Sequence, residues 1–287
     1  MDNLFFHLLL LLLTTTTFST ADDSTSFIYA GCSQPKYAPN SPYQYNVESL
    51  LTSLANSASF SSYSNFTSSA ASPSPPIYGL FQCRGDLPLP DCSACIRSAL
   101  SRLSTLCPSA ASAAVQLRSC YLRYGNDSFL GHPDTALLYK TCSSGLDSGV
   151  DSVDFLVSRD GAFSSLTGAG SSYRVGTAGG VRAEAQCVGD LSGAECSDCV
   201  GAAAAQVKAS CGGAASGEAY LGKCYIRYYS VGARPYAYGN GGSGGSASGE
   251  HDDETGKTLA IIIGLMAGVA LIIVFLSFIK RSGNGKY

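Results

Sequence analysis

Two stretches of the chain are apolar without the periodicity of a surface helix or strand, and the first lies near its beginning. Residues 4–13 form an apolar run that His7 alone interrupts, and small and polar residues follow it up to Ala21. This pattern predicts a signal peptide over residues 1–21. An uncleaved anchor is the alternative, but so short a run cannot cross the hydrocarbon core of a bilayer as a helix.

The second apolar stretch covers residues 258–279, carries no formal charge and is long enough to cross a bilayer. Acidic residues precede it and basic residues follow it, so the positive-inside rule predicts a type I membrane protein with a cytoplasmic tail over residues 280–287. Such a tail leaves no room for a kinase domain. Gly264 and Gly268 have the spacing that lets two membrane helices pack closely, although such pairs also arise by chance in spans rich in small residues.

The twelve cysteines between these stretches show a tandem duplication. Successive cysteines are separated by 51, 9, 3, 12 and 13 positions in the first six and by 45, 9, 3, 12 and 13 positions in the last six. Each copy therefore holds an even number of cysteines and leaves no odd thiol. We predict repeat 1 over residues 22–135, repeat 2 over residues 136–236, and a Gly/Ser-rich acidic stalk over residues 237–257.

Apolar positions with helical spacing predict three helices within these repeats. One covers residues 47–58, a second covers residues 92–107 with Asp91 as its N-cap, and a third follows Glu195 and ends at Cys211. Alternating β-forming residues predict extended segments over residues 77–83, 114–124 and 218–229. The Ser- and Pro-rich residues 57–76 predict a surface loop. Each repeat is thus predicted to pack two helices on an antiparallel sheet.

Charge and cysteine content narrow the possible partners and compartment. The chain has 18 Lys and Arg residues against 21 Asp and Glu residues, so it lacks the basic surface that phosphate backbones require and no nucleic acid is expected. A chain this rich in cysteine is typical of an oxidising compartment. The sequence therefore predicts a protein of the secretory pathway.

The interval Cys83-x8-Cys92-x2-Cys95, which recurs from Cys187, resembles the plant cysteine-rich extracellular domain of ginkbilobin, the cysteine-rich receptor-like kinases and the plasmodesmata-located proteins. Two such domains, one span and a short tail resemble the plasmodesmata-located protein family in particular. The resemblance implies an α+β fold class of two tandem ginkbilobin-like domains, each an antiparallel sheet with two helices and three disulfides, followed by a single transmembrane helix. It also implies the disulfides Cys32-Cys107, Cys83-Cys92, Cys95-Cys120, Cys142-Cys211, Cys187-Cys196 and Cys199-Cys224.

Ginkbilobin-like members bind mannose through an Asn, an Arg and a Glu at fixed distances from the first and last cysteines. The corresponding residues here are Ser33, Ala114 and Gly125 in repeat 1, and Ser143, Glu218 and Tyr229 in repeat 2. None of them keeps the required side chain, because paired sugar hydroxyls need a guanidinium fork and a carboxylate. We expect this mannose site to be absent, while other glycan sites stay open.

Chemical alternatives to structural disulfides are few. Cys92 and Cys95 have the spacing of a redox pair at a helix start, but structural bridges account for both copies without a leftover cysteine. A zinc site would draw on His132 or His251 and would leave the remaining cysteines unexplained. His132 also has Asp134 nearby, yet no nucleophile completes a catalytic set. We therefore expect no enzyme activity, no catalytic residue, no metal and no cofactor.

Two further features concern the surface. Asn65 and Asn126 begin N-glycosylation sequons in predicted loops, and export makes occupancy of at least one the expectation. Seven tyrosines cluster around the last strands and either pack in the sheets or form an exposed face for another ectodomain or a wall polymer. These tyrosines are Tyr121, Tyr124, Tyr225, Tyr228, Tyr229, Tyr236 and Tyr238.

The resemblance implies a plasma-membrane protein at plasmodesmata, with its ectodomain in the apoplast and a short cytoplasmic C-terminus. It would regulate cell-to-cell trafficking through callose deposition and could dock viral movement proteins. Other expected partners are the membrane, related chains in a homo- or hetero-oligomer, receptor-like kinases, the callose synthase machinery and a wall glycan. The alternative is a wall-glycan-binding co-receptor without a kinase domain, whereas the predicted anchor and the missing sugar-binding side chains disfavour an antifungal lectin.

Overall fold

In a computed structural model, the chain folds into two five-stranded antiparallel sheets, and each sheet carries two helices. Both sheets belong to one compact unit, and the predicted α+β class is confirmed. None of the helices in the described part of the chain combines the length and apolarity that a membrane crossing requires. The predicted signal peptide, stalk, span with Gly264 and Gly268, and tail lie outside the described residues. The described residues are 23–68, 75–143, 145, 152–168 and 170–230.

The two sheets have the same strand order, β1-β4-β5-β3-β2 in repeat 1 and β6-β9-β10-β8-β7 in repeat 2. Repeat 1 consists of β1 (Phe27–Cys32), α1 (Pro42–Ser57), β2 (Tyr63–Ser68), β3 (Ile77–Cys83), α2 (Leu89–Leu106), β4 (Ala113–Leu117) and β5 (Cys120–Gly125). Repeat 2 consists of β6 (Leu137–Cys142), α3 (Ser152–Ser164), β7 (Tyr173–Ala178), β8 (Val181–Cys187), α4 (Gly193–Cys211), β9 (Ser216–Leu221) and β10 (Cys224–Ser230).

The helices begin earlier than their apolar periodicity predicts. Helix α1 begins at Pro42, where the Ser41 hydroxyl accepts a hydrogen bond from the backbone N–H of Gln44. The prediction of Asp91 as N-cap is wrong, because α2 begins at Leu89 and Asp91 lies in its first turn, where a carboxylate favours the helix dipole. Apolar spacing therefore locates the middle of these helices but not their first residues.

The predicted extended segment over residues 77–83 is strand β3, whereas the other two predicted segments are hairpins rather than single strands. Residues 114–124 divide into β4 and β5, and residues 218–229 divide into β9 and β10. The predicted loop over residues 57–76 contains the edge strand β2, which pairs with β3. In repeat 2 the corresponding connection is a two-residue turn at Gly179 and Gly180, whose φ angles of 49° and 78° suit a tight hairpin.

Each core lies between the helices and one face of its sheet. In repeat 1, Leu50 and Leu54 of α1 approach so closely that a Cβ on Gly79 would come within 3.0 Å of either side chain. In repeat 2 the strand that corresponds to β3 contributes Val181, Ala183 and Ala185 to the core. The Tyr228 hydroxyl donates a hydrogen bond to the carbonyl of Ala214 at 2.8 Å. Small residues thus let helix and sheet backbones approach.

Six disulfides tie the helices to the strands, and they join the pairs that the family resemblance implies. The bonds are Cys32-Cys107, Cys83-Cys92, Cys95-Cys120, Cys142-Cys211, Cys187-Cys196 and Cys199-Cys224. Each contributes on the order of 2–4 kcal/mol by restricting the unfolded chain. Each disulfide joins two cysteines of the same repeat, and none connects the two repeats.

The core of repeat 1 depends on fully buried side chains of α1. Leu54→Ala removes a side chain with 0% exposure and is expected to lower the free energy of unfolding by about 2–5 kcal/mol, measured by urea denaturation with the disulfides intact. Leu106→Ala, at a position with 44% exposure, is the control and is expected to change it by less than about 0.5 kcal/mol. Equal effects would contradict the assigned core.

Candidate functional site

The helix-free faces of the two sheets meet, and this contact is the most elaborate polar structure in the described residues. Side chains alternate across a strand, so the neighbours of the core residues Phe81 and Cys83 point away from the helices. Yet β3 and β8 are buried on both faces, because each is covered by the other repeat. We call this contact the inter-repeat interface; its buried polar residues are Gln82, Gln116, Ser119, Glu184, Gln186, Glu218 and Lys223.

Two glutamines exchange hydrogen bonds across the interface in a nearly two-fold arrangement. The Gln82 side-chain oxygen accepts from the backbone N–H of Gly189 at 2.9 Å, and the Gln186 oxygen accepts from that of Gly85 at 3.1 Å. The Gln186 amide also donates to the carbonyl of Cys83 at 2.9 Å. These bonds satisfy backbone groups that the interface removes from water.

The two glycines are required by the packing of aromatic rings. A Cβ on Gly85 would come within 2.5 Å of Tyr173, and a Cβ on Gly189 would come within 2.7 Å of Tyr63. Each repeat therefore places a tyrosine of its edge strand directly on the Gly-Asp-Leu segment of the other repeat. The repeated Gln and Gly-Asp-Leu residues in the sequence are explained by this reciprocal contact.

A tyrosine cluster closes one side of the interface. The rings of Tyr29 and Tyr139, at equivalent positions before the first cysteine of each repeat, stack with centroids 6.0 Å apart. Tyr220 meets Tyr29 edge-on at 5.9 Å. Burial raises the pKa of the Tyr29 hydroxyl well above its ordinary value, and nearby Tyr121 and Tyr220 add to this effect. The cluster is therefore uncharged and packs as an apolar contact.

One ion pair breaks the two-fold symmetry of the interface. Nη1 of Arg118, in the β4–β5 turn, lies 2.6 Å from Oε2 of Glu218 on β9. The equivalents of these residues are Gly222 and Ala114, which cannot form the reverse pair. Pairing two copies of repeat 1 in this arrangement would leave the partly buried Arg118 without its carboxylate, so the ion pair favours the observed pairing of unlike repeats.

The connection between the repeats is held against the same interface. Phe129 is buried between two cations, with the Arg123 guanidinium 4.1 Å and the Lys223 ammonium 5.5 Å from its ring centroid. Asp190 forms an ion pair with Lys223 and accepts a hydrogen bond from the backbone N–H of Gly131 at 2.8 Å. Burial lowers the pKa of Lys223, and the Asp190 carboxylate offsets part of that shift.

A small cavity lies between the β4–β5 and β9–β10 turns. Its volume is about 30 Å³, which is enough for a water molecule. The buried hydroxyls of Ser119 and Tyr225 have no hydrogen-bond partner among the described residues, and both residues line it. The cavity is too small for a metabolite.

Glu184 on β8 links charged side chains of repeat 2 at this interface. Its carboxylate accepts from Nε of Arg227 at 2.7 Å and from Nε of Arg182 at 3.0 Å. Burial alone would raise the pKa of Glu184, but Arg227 and Arg182 outweigh burial and lower it below its ordinary value. Glu184 is therefore ionised in the folded protein at neutral and mildly acidic pH.

A wider groove opens on repeat 1 beside the interface. We call it the repeat-1 groove; it has a volume of about 550 Å³ and its lining includes Tyr29, Ser33, Ala114, Arg123, Asn126 and Asp134. The Arg123 guanidinium donates to the Asp127 carboxylate at 2.8 Å and lies 3.7 Å from Asp134. The groove therefore combines aromatic walls with charged groups that already neutralise one another.

The residues at the family's mannose positions have other roles. Ser33 and Ala114 line the repeat-1 groove, but the Ser33 hydroxyl donates to the Pro35 carbonyl and accepts from the N–H of Ser112 at 3.0 Å. A Cβ on Gly125 would come within 2.5 Å of Asp127. In repeat 2, Ser143 makes the equivalent loop contact with Ser216, and Glu218 pairs with Arg118. Tyr229 lies on β10.

The alternative chemistries of the cysteines and histidine receive no support from the geometry. Cys92 and Cys95 are bonded to Cys83 and Cys120, not to each other. Within the described ranges no group of three or more His, Cys, Asp or Glu residues could hold a metal ion. No hydrogen bond joins His132 to Asp134 in this part of the chain, and the Asp134 carboxylate instead accepts from the N–H of Ala136 at 3.0 Å. His251 lies outside the described residues.

The two sequons lie in different secondary structure, and the predicted tyrosine cluster is spread over the cores and the inter-repeat interface. Asn126 follows β5 in a bend, whereas the prediction of a loop around Asn65 is wrong, since Asn65 lies in edge strand β2. Tyr124 and Tyr228 are buried against the helices, while Tyr121 and Tyr225 lie on the interface side of their sheets. Tyr229 is partly buried, and Tyr236 and Tyr238 lie outside the described residues.

Comparisons with known proteins match both repeats. The family model described as salt stress response/antifungal matches residues 31–127 and 139–230. The chain is 48% identical to plasmodesmata-located protein 6 of Arabidopsis thaliana over 269 residues, which cover 92% of this chain and 91% of that protein. Plasmodesmata-located protein 7 of Arabidopsis thaliana is 43% identical over 267 residues, which cover 91% of this chain and 85% of that protein.

A solved structure shares the tandem arrangement. The crystal structure of the tandem DUF26 ectodomain of the Arabidopsis thaliana cysteine-rich receptor-like protein PDLP8 matches this chain with a TM-score of 0.68 and 41% sequence identity. The match covers 72% of this chain and 99% of that ectodomain. Both repeats are therefore included in the likeness.

The Arg118–Glu218 ion pair is expected to stabilise the inter-repeat interface. Arg118→Ala should lower the free energy of unfolding of residues 22–236 by about 1–3 kcal/mol, because it leaves the Glu218 carboxylate buried without its partner. A double-mutant cycle with Glu218→Ala measures the coupling, and Arg102→Ala on the exposed surface of α2 is the control. Strictly additive effects would contradict a coupled pair.

Glu184 is expected to make stability depend on acid pH. Because its folded pKa lies below the ordinary value of 4.5, it contributes stability above that pH, and the contribution is lost as the pH falls through the folded pKa. Glu184→Gln should lower stability at pH 7 by about 1–3 kcal/mol and flatten the loss below pH 4.5. Denaturation series from pH 7 to pH 3 test this, with the exposed Glu48→Gln as control; an unchanged acid slope would contradict it.

Proposed function

Because the chain belongs to the plasmodesmata-located protein family, we propose that it is a non-enzymatic type I membrane protein of plasmodesmata that regulates cell-to-cell trafficking. The observation that supports this most is that the likeness to plasmodesmata-located proteins extends over 92% of the chain, well beyond the two repeats. A plasmodesmata-associated role follows from these relatives. The remaining parts of the proposal rest on the sequence.

The inter-repeat interface supports a binding role rather than a catalytic one. Its glutamines bind backbone groups, its buried charged side chains are paired, its tyrosines are packed, and its cavity accommodates little more than water. What the two repeats offer to a partner is their outer surface in one fixed relative orientation. We propose that this surface faces the apoplast and that residues 258–279 anchor it in the plasma membrane.

The regulatory output requires partners. We propose that the protein promotes callose deposition around the channel through receptor-like kinases or the callose synthase machinery, and that related chains associate with it through the ectodomain or through Gly264 and Gly268 of the span. Viral movement proteins would use the same protein as a docking partner at the channel. Each of these steps is separable by experiment.

The repeat-1 groove favours a second candidate function. Its volume of about 550 Å³ lies within the range of small-ligand sites, and its tyrosines and charged residues suit a carbohydrate. A wall-glycan-binding co-receptor of the general plasma membrane would use this groove. It would show no enrichment at plasmodesmata.

Imaging of a C-terminal fluorescent fusion in leaf epidermis, with callose stained in the same cells, tests the proposal. We expect puncta that coincide with wall callose, and slower dye movement between cells when the protein is overexpressed. A matched variant in which an unrelated apolar span replaces residues 258–279 keeps the anchor and is expected to lose the puncta. A uniform plasma-membrane outline of the unaltered protein would contradict the proposal and favour the co-receptor.

A further inference from the structure

The two N-glycosylation sequons differ in whether the folded protein leaves their asparagine free. Asn126 is exposed and lines the repeat-1 groove. Its side chain forms no hydrogen bond with any residue that the structure describes. Its neighbour Asp127 is fixed by the Arg123 guanidinium at 2.8 Å, so the segment that carries Asn126 is held at the edge of the groove.

Asn65 is also exposed, but its side chain takes part in a hydrogen bond within the fold. Its Nδ2 atom, the atom that would carry a glycan, donates a hydrogen bond to the Tyr63 hydroxyl at 2.6 Å. The Tyr63 ring in turn lies against Gly189 of repeat 2, where even a Cβ would come within 2.7 Å of it. A sugar on Asn65 would therefore crowd a tyrosine that the inter-repeat interface holds in place.

We propose that Asn126 is the occupied sequon and that the first sugars of its glycan lie in the repeat-1 groove. This inference rests on the secretory route of the proposed function, because the transferase acts in that pathway. In the transfer, Nδ2 of Asn126 bonds to C1 of the first sugar of a lipid-linked oligosaccharide. The C1–O bond to the lipid diphosphate breaks, the diphosphate leaves with the electron pair, and one amide proton passes to the transferase.

The groove suits a glycan because it offers both aromatic surface for the apolar face of a sugar ring and polar groups for the sugar hydroxyls. Tyr29 and Tyr121 offer aromatic surface, while Asp134 and the Arg123 guanidinium offer hydrogen-bonding groups. A volume of about 550 Å³ is in the range of a small-ligand site. A glycan tethered at the edge reaches the groove at high effective concentration, so it needs little intrinsic affinity to remain there.

As a consequence, the protein's own glycan occupies the repeat-1 groove. A free wall glycan would have to displace a tethered one, so the repeat-1 groove would not serve as a receptor site in the glycosylated protein. The absence of sugar-binding side chains at Ser33, Ala114 and Gly125 is consistent with this arrangement, because a covalently tethered sugar does not depend on them.

Glycopeptide mapping of the full-length protein from leaf membranes tests the choice of sequon. We expect a glycan on Asn126 and an unmodified Asn65. Asn126→Gln and Ser128→Ala, which destroy the same sequon by different changes, should each remove one glycan-sized step in gel mobility, whereas Asn65→Gln should remove none. A glycan on Asn65 with Asn126 unmodified, or no glycan at either residue, would overturn the proposal.

Hydrogen exchange of the full-length protein before and after enzymatic removal of the glycan tests its location. Backbone amides of residues 29–33 and 112–114, which line the groove, should exchange several-fold faster once the glycan is removed, while those of β7 on repeat 2 should not change. Equal exchange before and after removal would overturn the placement in the groove. Both readouts are independent of plasmodesmal targeting, so a glycosylated protein with a uniform membrane outline would refute the proposed function alone.

Discussion

The structure depends on covering the second face of each sheet. Helices lie on one face only, and a five-stranded sheet with the other face in water would expose the tyrosines and glutamines that are buried here. Each repeat covers the helix-free sheet face of the other repeat. The glutamine oxygens bind the backbone of the opposite Gly-Asp-Leu segment, and the absence of a Cβ at Gly85 and Gly189 lets the edge tyrosines pack against it. In this chain the duplication thus supplies each sheet with the cover of its second face.

Divergence between the copies has made their pairing directional. Arg118 and Glu218 form an ion pair that has no counterpart on the other side of the two-fold axis, and Lys223 replaces the small Ser119 where the two turns meet. Lys223 is tolerated at 1% exposure because Asp190 pairs with it and the ring of Phe129 lies beside it. These changes favour repeat 1 against repeat 2 within one chain over contacts between like repeats.

The features that could be predicted from the sequence are those that recur along the chain, namely the duplicated cysteine spacing and the apolar spacing of the helices. Cysteine spacing revealed the duplication, family resemblance supplied the disulfide partners, and apolar spacing located the middle of α1, α2 and α4. The sequence did not reveal α3, whose residues have little amphipathic order, or the strands β1, β2, β6, β7 and β8. It also missed Arg118 and Glu218, because a contact formed once between two copies has no repeated signal. The Gln and Gly-Asp-Leu residues were visible as repeated neighbours, but their partners across the interface could be found only from the fold.

The closure of every disulfide within its own repeat has a consequence for biosynthesis. Repeat 1 is complete once Gly125 ends β5, whereas its cover is complete only when Ser230 ends β10. At about 5–20 residues per second, a ribosome needs roughly 5–20 s to produce the intervening chain. During that interval a covalently finished repeat 1 presents its tyrosines and glutamines without their cover. The three disulfides of repeat 1 therefore complete a unit whose second sheet face still needs protection from non-native contacts until repeat 2 has been made.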